Sequence, residues 1–189
     1  MQMVSAAERK HWTVADCMAL PDDGKRYEVI DGELFVTPVP IADHQRLVFA
    51  LARRLATYLD AAPVGEVLLS PADIEFAADT VVQPDVFVAP LVGGARPRSW
   101  KDITGLLLAA EVLSTSTRRV DRTVKRRRYQ RAGVAEYWII DGDARLVERW
   151  QAADERPEIL SDELVCQPDA AHAPLRIDLP AFFASALDG

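Results

Sequence analysis

Two acids stand where apolar strands end. Asp85 interrupts "VVQPDVFVA" and Glu111 closes "GLLLAAEVL". If those strands are neighbours, their carboxylates meet. Like charges at close range persist only when a cation or a proton neutralises them. A hard cation such as Mg2+, with Mn2+ as the alternative, suits one or two carboxylates because it prefers oxygen donors and keeps several waters. An ion held there can activate water and stabilise charge on a phosphoryl oxygen.

The segment after Glu111 supplies a third element. Asp121, Lys125 and Tyr129 are spaced four apart and form one stripe if that segment is helical. Lys125 is long enough to reach back over the strand end, where an ammonium group orients a nucleophile or neutralises developing charge. Around it runs "RRVDRTVKRRRYQR", with eight of the chain's 22 basic residues and one of its 29 acids. Arg118, Arg119, Arg122 and Arg126 are the candidates for contact with a phosphate backbone. The plainer reading of such a run is a solvated helix face. "STST", Ser114 to Thr117, reads as a helix N-cap region.

The elements that must position these groups are legible in outline. "TVADCMAL" reads as a short helix capped by Thr13, and "RYEVIDGELFVT" as a hairpin turning at Asp31-Gly32, a pair suited to a type I′ turn. That register sets Ile30 opposite Glu33 and Glu28 opposite Phe35, with both acids on one face. Helical spacing of Val48, Leu51, Leu55 and Tyr58, with His44 on the same stripe, predicts a long helix between Pro40 and Pro63. "EVLLS", "ADIEF", "VVQPDVFVA", "GLLLAAEVL", "EYWII" and "RLVERW" read as strands, with Pro84 marking a strand end, edge or bulge. The basic helix is predicted from Ser116–Arg119 to Gly133, and "DLPAFFASAL" closes the chain as a helix. The fold class is α/β, a central mixed sheet flanked by helices with an N-terminal hairpin. One domain is expected over 1–189, its core at about 13–150 and an extension at 151–189.

Composition narrows the function classes. Of 189 residues, 49% are hydrophobic and 27% charged, as in a globular protein that is not membrane-embedded. No run approaches a membrane span and "MQMVSAAERKHW" has no secretory h-region, so no membrane partner and a cytoplasmic setting are expected. Two separated cysteines, Cys17 and Cys166, exclude a disulfide framework or zinc pair by their number and spacing. The net charge is −7, and outside the basic segment 28 acids face 14 basic residues. That imbalance disfavours a broad nucleic-acid groove and concentrates any contact on one segment.

The ordered signals "YEVIDGEL", a histidine-led helix, "QPD", "EVLSTST", "DRTVKRRRYQ" and "GVAEYW" resemble the PD-(D/E)XK restriction-endonuclease-like superfamily, and within it the Uma-two branch. The resemblance runs from about Thr13 into "DLPAFF". It implies a metal-dependent nuclease core acting on DNA, with Asp85 as the motif aspartate, Glu111 as the second acid and the Val112 carbonyl as a further metal ligand. It implies a motif lysine at position 113, where this chain has Leu113; Lys125 occupies the matching place on the following helix. An additional acid from the N-terminal part is implied, with Glu33 as first choice and Glu28 and His44 behind it. Tyr129 reads as a support residue. A homodimer would give each strand of a duplex its own site. The alternative is a catalytically inactive module of the same fold that binds DNA or a protein partner. A hydrolase of smaller phosphoesters is a third class.

Overall fold

Alternation along the strands decides which side chains enter which layer of the protein. The structure, a computed structural model, describes residues 10–168 and 170–188. The reading of residues 1–9 lies outside them.

The described residues form twelve strands: β1 (Arg26–Ile30), β2 (Glu33–Thr37), β3 (Gly65–Leu69), β4 (Ile74–Ala77), β5 (Thr80–Val82), β6 (Val86–Pro90), β7 (Leu108–Val112), β8 (Glu136–Asp141), β9 (Leu146–Gln151), β10 (Glu158–Leu160), β11 (Glu163–Cys166) and β12 (Leu175–Asp178). The central sheet has the order β10-β9-β8-β7-β6-β3; β7 and β8 run parallel and the other neighbours antiparallel. A second sheet, β2-β1-β5-β4, carries the N-terminal hairpin, and β11 pairs with β12 alone. "VVQPDVFVA" therefore serves two sheets. It breaks at Gln83-Pro84-Asp85, where proline cannot donate to a ladder.

In the hairpin, Ile30 pairs with Glu33 and Glu28 with Phe35. Asp31 and Gly32 both have positive φ, +50° and +79°, as a type I′ turn requires. A Cβ at Gly32 would stand 2.1 Å from the His11 ring, so glycine is demanded there by both conformation and space.

One face of the central sheet packs on α2 (Ala42–Ala61), the long helix that follows the short α1 (Val14–Met18), and on the C-terminal helix Leu179–Leu187. Leu47, Val48, Leu51 and Leu55 meet Val86, Val88, Ala110, Trp138 and Phe183 in that layer. Residues of the 151–189 segment thus enter the same core as α2. The opposite face carries Phe87, Ala89, Ala109, Tyr137 and Ile139 against Tyr129 and Ile30. Asp85 and Glu111 have the parity of this second face.

The basic helix is continuous over 118–131. It is α-helical at Arg118–Val120, π-helical at Asp121–Lys125 and α-helical again at Arg126–Arg131. It ends at Gly133, whose φ of +72° suits the residue after a C-cap. The helix N-cap falls at Thr117, within "STST" as expected, although the Thr117 side chain makes no cap bond. Its hydroxyl is engaged with Ser114 instead, 3.0 Å from the Ser114 hydroxyl. Among the described residues no helix is long and apolar enough to cross a membrane.

Candidate active site

β6 and β7 pair Val86 with Ala110 and Phe87 with Ala109. Continued by one position, that register sets Asp85 opposite Glu111. Both are buried, at 4% and 2% exposure. Two carboxyls separated by 26 residues thus occupy one end of one face because their strands are antiparallel neighbours.

The basic helix returns across this face. Asp121, Lys125 and Tyr129 are all buried, so the stripe points inward despite the π turn within it. Such wide turns recur at functional sites. Lys125 Nζ lies 2.9 Å from Glu111 Oε1 and 2.9 Å from Glu28 Oε2, with Asp121 Oδ1 at 3.9 Å. The Tyr129 hydroxyl donates to Glu111 Oε1 at 3.0 Å. Glu111 Oε2 accepts no hydrogen bond among the described residues.

Asp85 is gripped from three elements. The Arg26 guanidinium donates to its Oδ1 at 2.8 Å; His44 Nε2 and the Val112 N–H approach its Oδ2 at 3.1 and 2.9 Å. His44 comes from the first turn of α2, and its Nδ1 is buried without a hydrogen-bond partner. Val112, expected to offer its carbonyl, thus also positions Asp85 through its amide.

Glu33 does not join this cluster. It is exposed beside the hairpin turn, in an open groove with Lys10, His11 and Trp12. Glu28, five residues earlier, lies in the cluster instead, because β1 is paired on both sides while β2 is an edge. Its Oε1 accepts the Gln83 N–H at 2.7 Å. Arg26 was missed in the sequence. Its signal was period two, which puts it on the Glu28 face.

The arginines chosen for phosphate contact are largely engaged by the chain itself. Arg122 pairs with Asp141 at 3.0 Å and Glu148 at 2.6 Å, and Arg118 with Asp143 at 3.0 Å. Arg126 donates to Gln130 and lies 4.7 Å over the Trp150 ring. Arg119 and Arg126 make no ion pair among the described residues, and the Arg119 guanidinium makes no hydrogen bond there either.

The electrostatics follow from burial and neighbours. Burial raises the Glu111 carboxyl well above its ordinary range, Lys125 opposes this, and Asp85, Asp121 and Glu28 reinforce it. Burial likewise lifts Asp121, against Lys125 and Thr117, to about 6. Asp85 goes the other way: burial would raise it, but the His44 hydrogen bond and the charges of His44, Arg26 and Lys125 hold it well below the carboxylate range. Burial works against the Lys125 charge, yet Glu111, Glu28 and Asp121 keep the ammonium protonated far above neutral pH.

In charge and donor type, the cluster fits a hard divalent cation. Four buried carboxyls, Glu28, Asp85, Glu111 and Asp121, face the fixed cations Arg26 and Lys125. Asp121 Oδ1 is buried without a hydrogen-bond donor. A cavity of about 270 Å³ opens in front of Asp85 and Glu111, walled by residues 37–41 and by Ser114–Thr117. Among the described residues no group of three or more His, Cys, Asp or Glu side chains is placed to hold a metal ion. An ion that keeps its waters needs only one or two carboxylates.

A central mixed sheet flanked by helices, with an N-terminal hairpin, is a restriction-endonuclease-like fold. The chain belongs to the Uma2 family, described as "Putative restriction endonuclease", whose sequence profile matches residues 14–178. Its fold is similar to that of a solved structure described as "a putative nuclease belonging to DUF820 from Anabaena variabilis". The TM-score is 0.72 at 19% identity, covering 93% of this chain and 99% of the other. No curated protein matches the chain.

Proposed function

We propose that this protein is an endonuclease that hydrolyses DNA phosphodiester bonds with Mg2+ or Mn2+ at the Asp85–Glu111 cluster. The observation that carries the reading is the Lys125 ammonium, delivered by the following helix to within 2.9 Å of both Glu111 and Glu28. Asp85, Glu111 and the Val112 carbonyl would hold the cation, with Glu28 in place of Glu33 as the N-terminal acid. When bound, the cation stabilises negative charge on the phosphoryl oxygens.

The roles of the side chains follow from their charges. Lys125 stays protonated, so it donates hydrogen bonds and takes no proton. It orients the attacking water and neutralises developing charge. Glu111 Oε2, without a hydrogen-bond donor, would face the cation, and the attacking water gives its proton to solvent. The water oxygen bonds to phosphorus as the bond to the leaving oxygen breaks, and that oxygen takes its proton from solvent.

The test is nicking of supercoiled DNA in Mg2+, Mn2+ and chelator. Asp85→Asn and Lys125→Met are each expected to reduce the rate by roughly 100-fold or more. Unchanged divalent-dependent cleavage by both folded variants would sink this assignment.

The second reading is a module of the same fold that binds DNA or a protein partner without turnover. It is favoured by Arg118, Arg122 and Arg126 being held by groups of the chain itself. It requires Asp85→Asn to bind as well as the native chain in the presence of chelator.

A further inference from the structure

Two side-chain cations, Arg26 and Lys125, line the cavity in front of Asp85 and Glu111 among the described residues, and no arginine of the basic helix reaches it. They are not equivalent. Lys125 is 2% exposed and held between Glu28 and Glu111. Arg26 begins β1, and 19% of its side chain is exposed at the cavity. Its anchorage runs through one nitrogen: Nη1 donates to Asp85 Oδ1 at 2.8 Å and to the Gln83 carbonyl at 3.2 Å. Nη2 and Nε donate no hydrogen bond among the described residues. A guanidinium has five donors in a fixed fork that matches a phosphate, and most of this fork is unused.

Asp85 Oδ1 is therefore covered by a charge that a divalent ion must compete with. Arg26 has a long stem, a free donor edge and an opening beside it, whereas its partner Asp85 is fixed by His44 and the Val112 amide. We propose that Arg26 is an exchangeable clamp. It covers Asp85 while the carboxylate has no divalent cation, and turns its guanidinium to a non-bridging phosphate oxygen of DNA once the cation takes that carboxylate. Both halves rest on the cation site proposed above, and the phosphate half rests on DNA binding as well; neither needs cleavage.

Two binding measurements test it, both on the full chain. The first is Mn2+ calorimetry of native protein and Arg26→Met without DNA. Removing the competing charge is expected to tighten Mn2+ binding roughly tenfold. Equal or weaker binding by the folded variant overturns the exchange. The second is binding of a short duplex in Ca2+ at several salt concentrations. Loss of one phosphate contact is expected to lower the slope of log affinity against log salt by about one; an unchanged slope overturns the phosphate role.

If Arg26→Met does not fold, Arg26→Lys decides. It keeps the charge and loses the planar fork, so Mn2+ affinity is expected to stay within about threefold while duplex affinity falls about fivefold. Undiminished duplex affinity would again overturn the clamp. Neither arm depends on turnover. A native chain that binds Mn2+ and DNA but cleaves nothing would end the nuclease reading while both arms still decide this one.

Discussion

Lys125 Nζ and Glu111 Oε1 are 2.9 Å apart although fourteen residues separate them in sequence. Position 113, where the motif lysine is expected, carries Leu113, which packs against the second core layer. The ammonium thus approaches the strand-end acid from the helix and not from the strand. The helix fixes it between two carboxylates.

That relationship makes Lys125 structural as well as chemical. Lys125→Met leaves Glu28 and Glu111 buried without their counter-ion. Breaking a buried pair in this way costs about 3–5 kcal/mol. Acids deprived of a cation take up protons, so the loss is expected to be larger at pH 8 than at pH 5. Chemical denaturation at the two pH values measures it, and an equal loss at both would show that the Lys125 charge does not oppose protonation of Glu111.

Asp121 gives a pH dependence of definite sign. Its carboxyl is raised to about 6 by burial, above an ordinary value near 3.8. The folded state therefore binds more protons than the unfolded state between those values. In chelator, the Asp121 contribution is full below about pH 4 and lost as pH rises through about 6. Asp121→Asn removes it, so the variant should gain on the native chain across that window, by up to about 3 kcal/mol. Denaturant midpoints from pH 4 to 7 test this; a constant difference would mean that Asp121 is not held protonated.

The basic helix separates two kinds of arginine. Arg122→Met removes pairs with Asp141 and Glu148 and is expected to cost stability, about 1 kcal/mol, with little effect on the salt dependence of DNA binding. Arg119→Met is expected to do the reverse: unchanged stability and a salt slope lower by about one. Thermal melts and titrations at several salt concentrations distinguish them. A slope change for Arg122→Met alone would show that the internal pairs open to DNA.

Cysteine chemistry offers a check on the core. Burial, and then the Glu136 charge, push the Cys166 thiol up to about 12. It is 7% exposed between the sheet and the C-terminal segment. At pH 8 the native chain is expected to leave Cys166 unlabelled by a thiol reagent until denaturant is added. Rapid labelling of the folded chain would mean that the β11–β12 layer opens readily.

Several features were legible in the residues because they are local. The Asp31-Gly32 turn follows from two positions that must adopt positive φ, and the turn sets the Glu28–Phe35 register. The inward stripe of Asp121, Lys125 and Tyr129 follows from helical spacing, and Pro84 ends a strand because it lacks an N–H. Alternation alone put Asp85 and Glu111 at strand ends. Tertiary structure decided that β6 and β7 are neighbours, and with that the meeting of the two acids. It chose Glu28 over Glu33 because two-sided pairing buries β1 and leaves the tip of β2 open. It brought Arg26 to Asp85 across 59 residues, and it set Asp141, Asp143 and Glu148 of the β8–β9 hairpin against the arginines. Burial and long-range ion pairing depend on which elements pack together, and no local period in the chain encodes that.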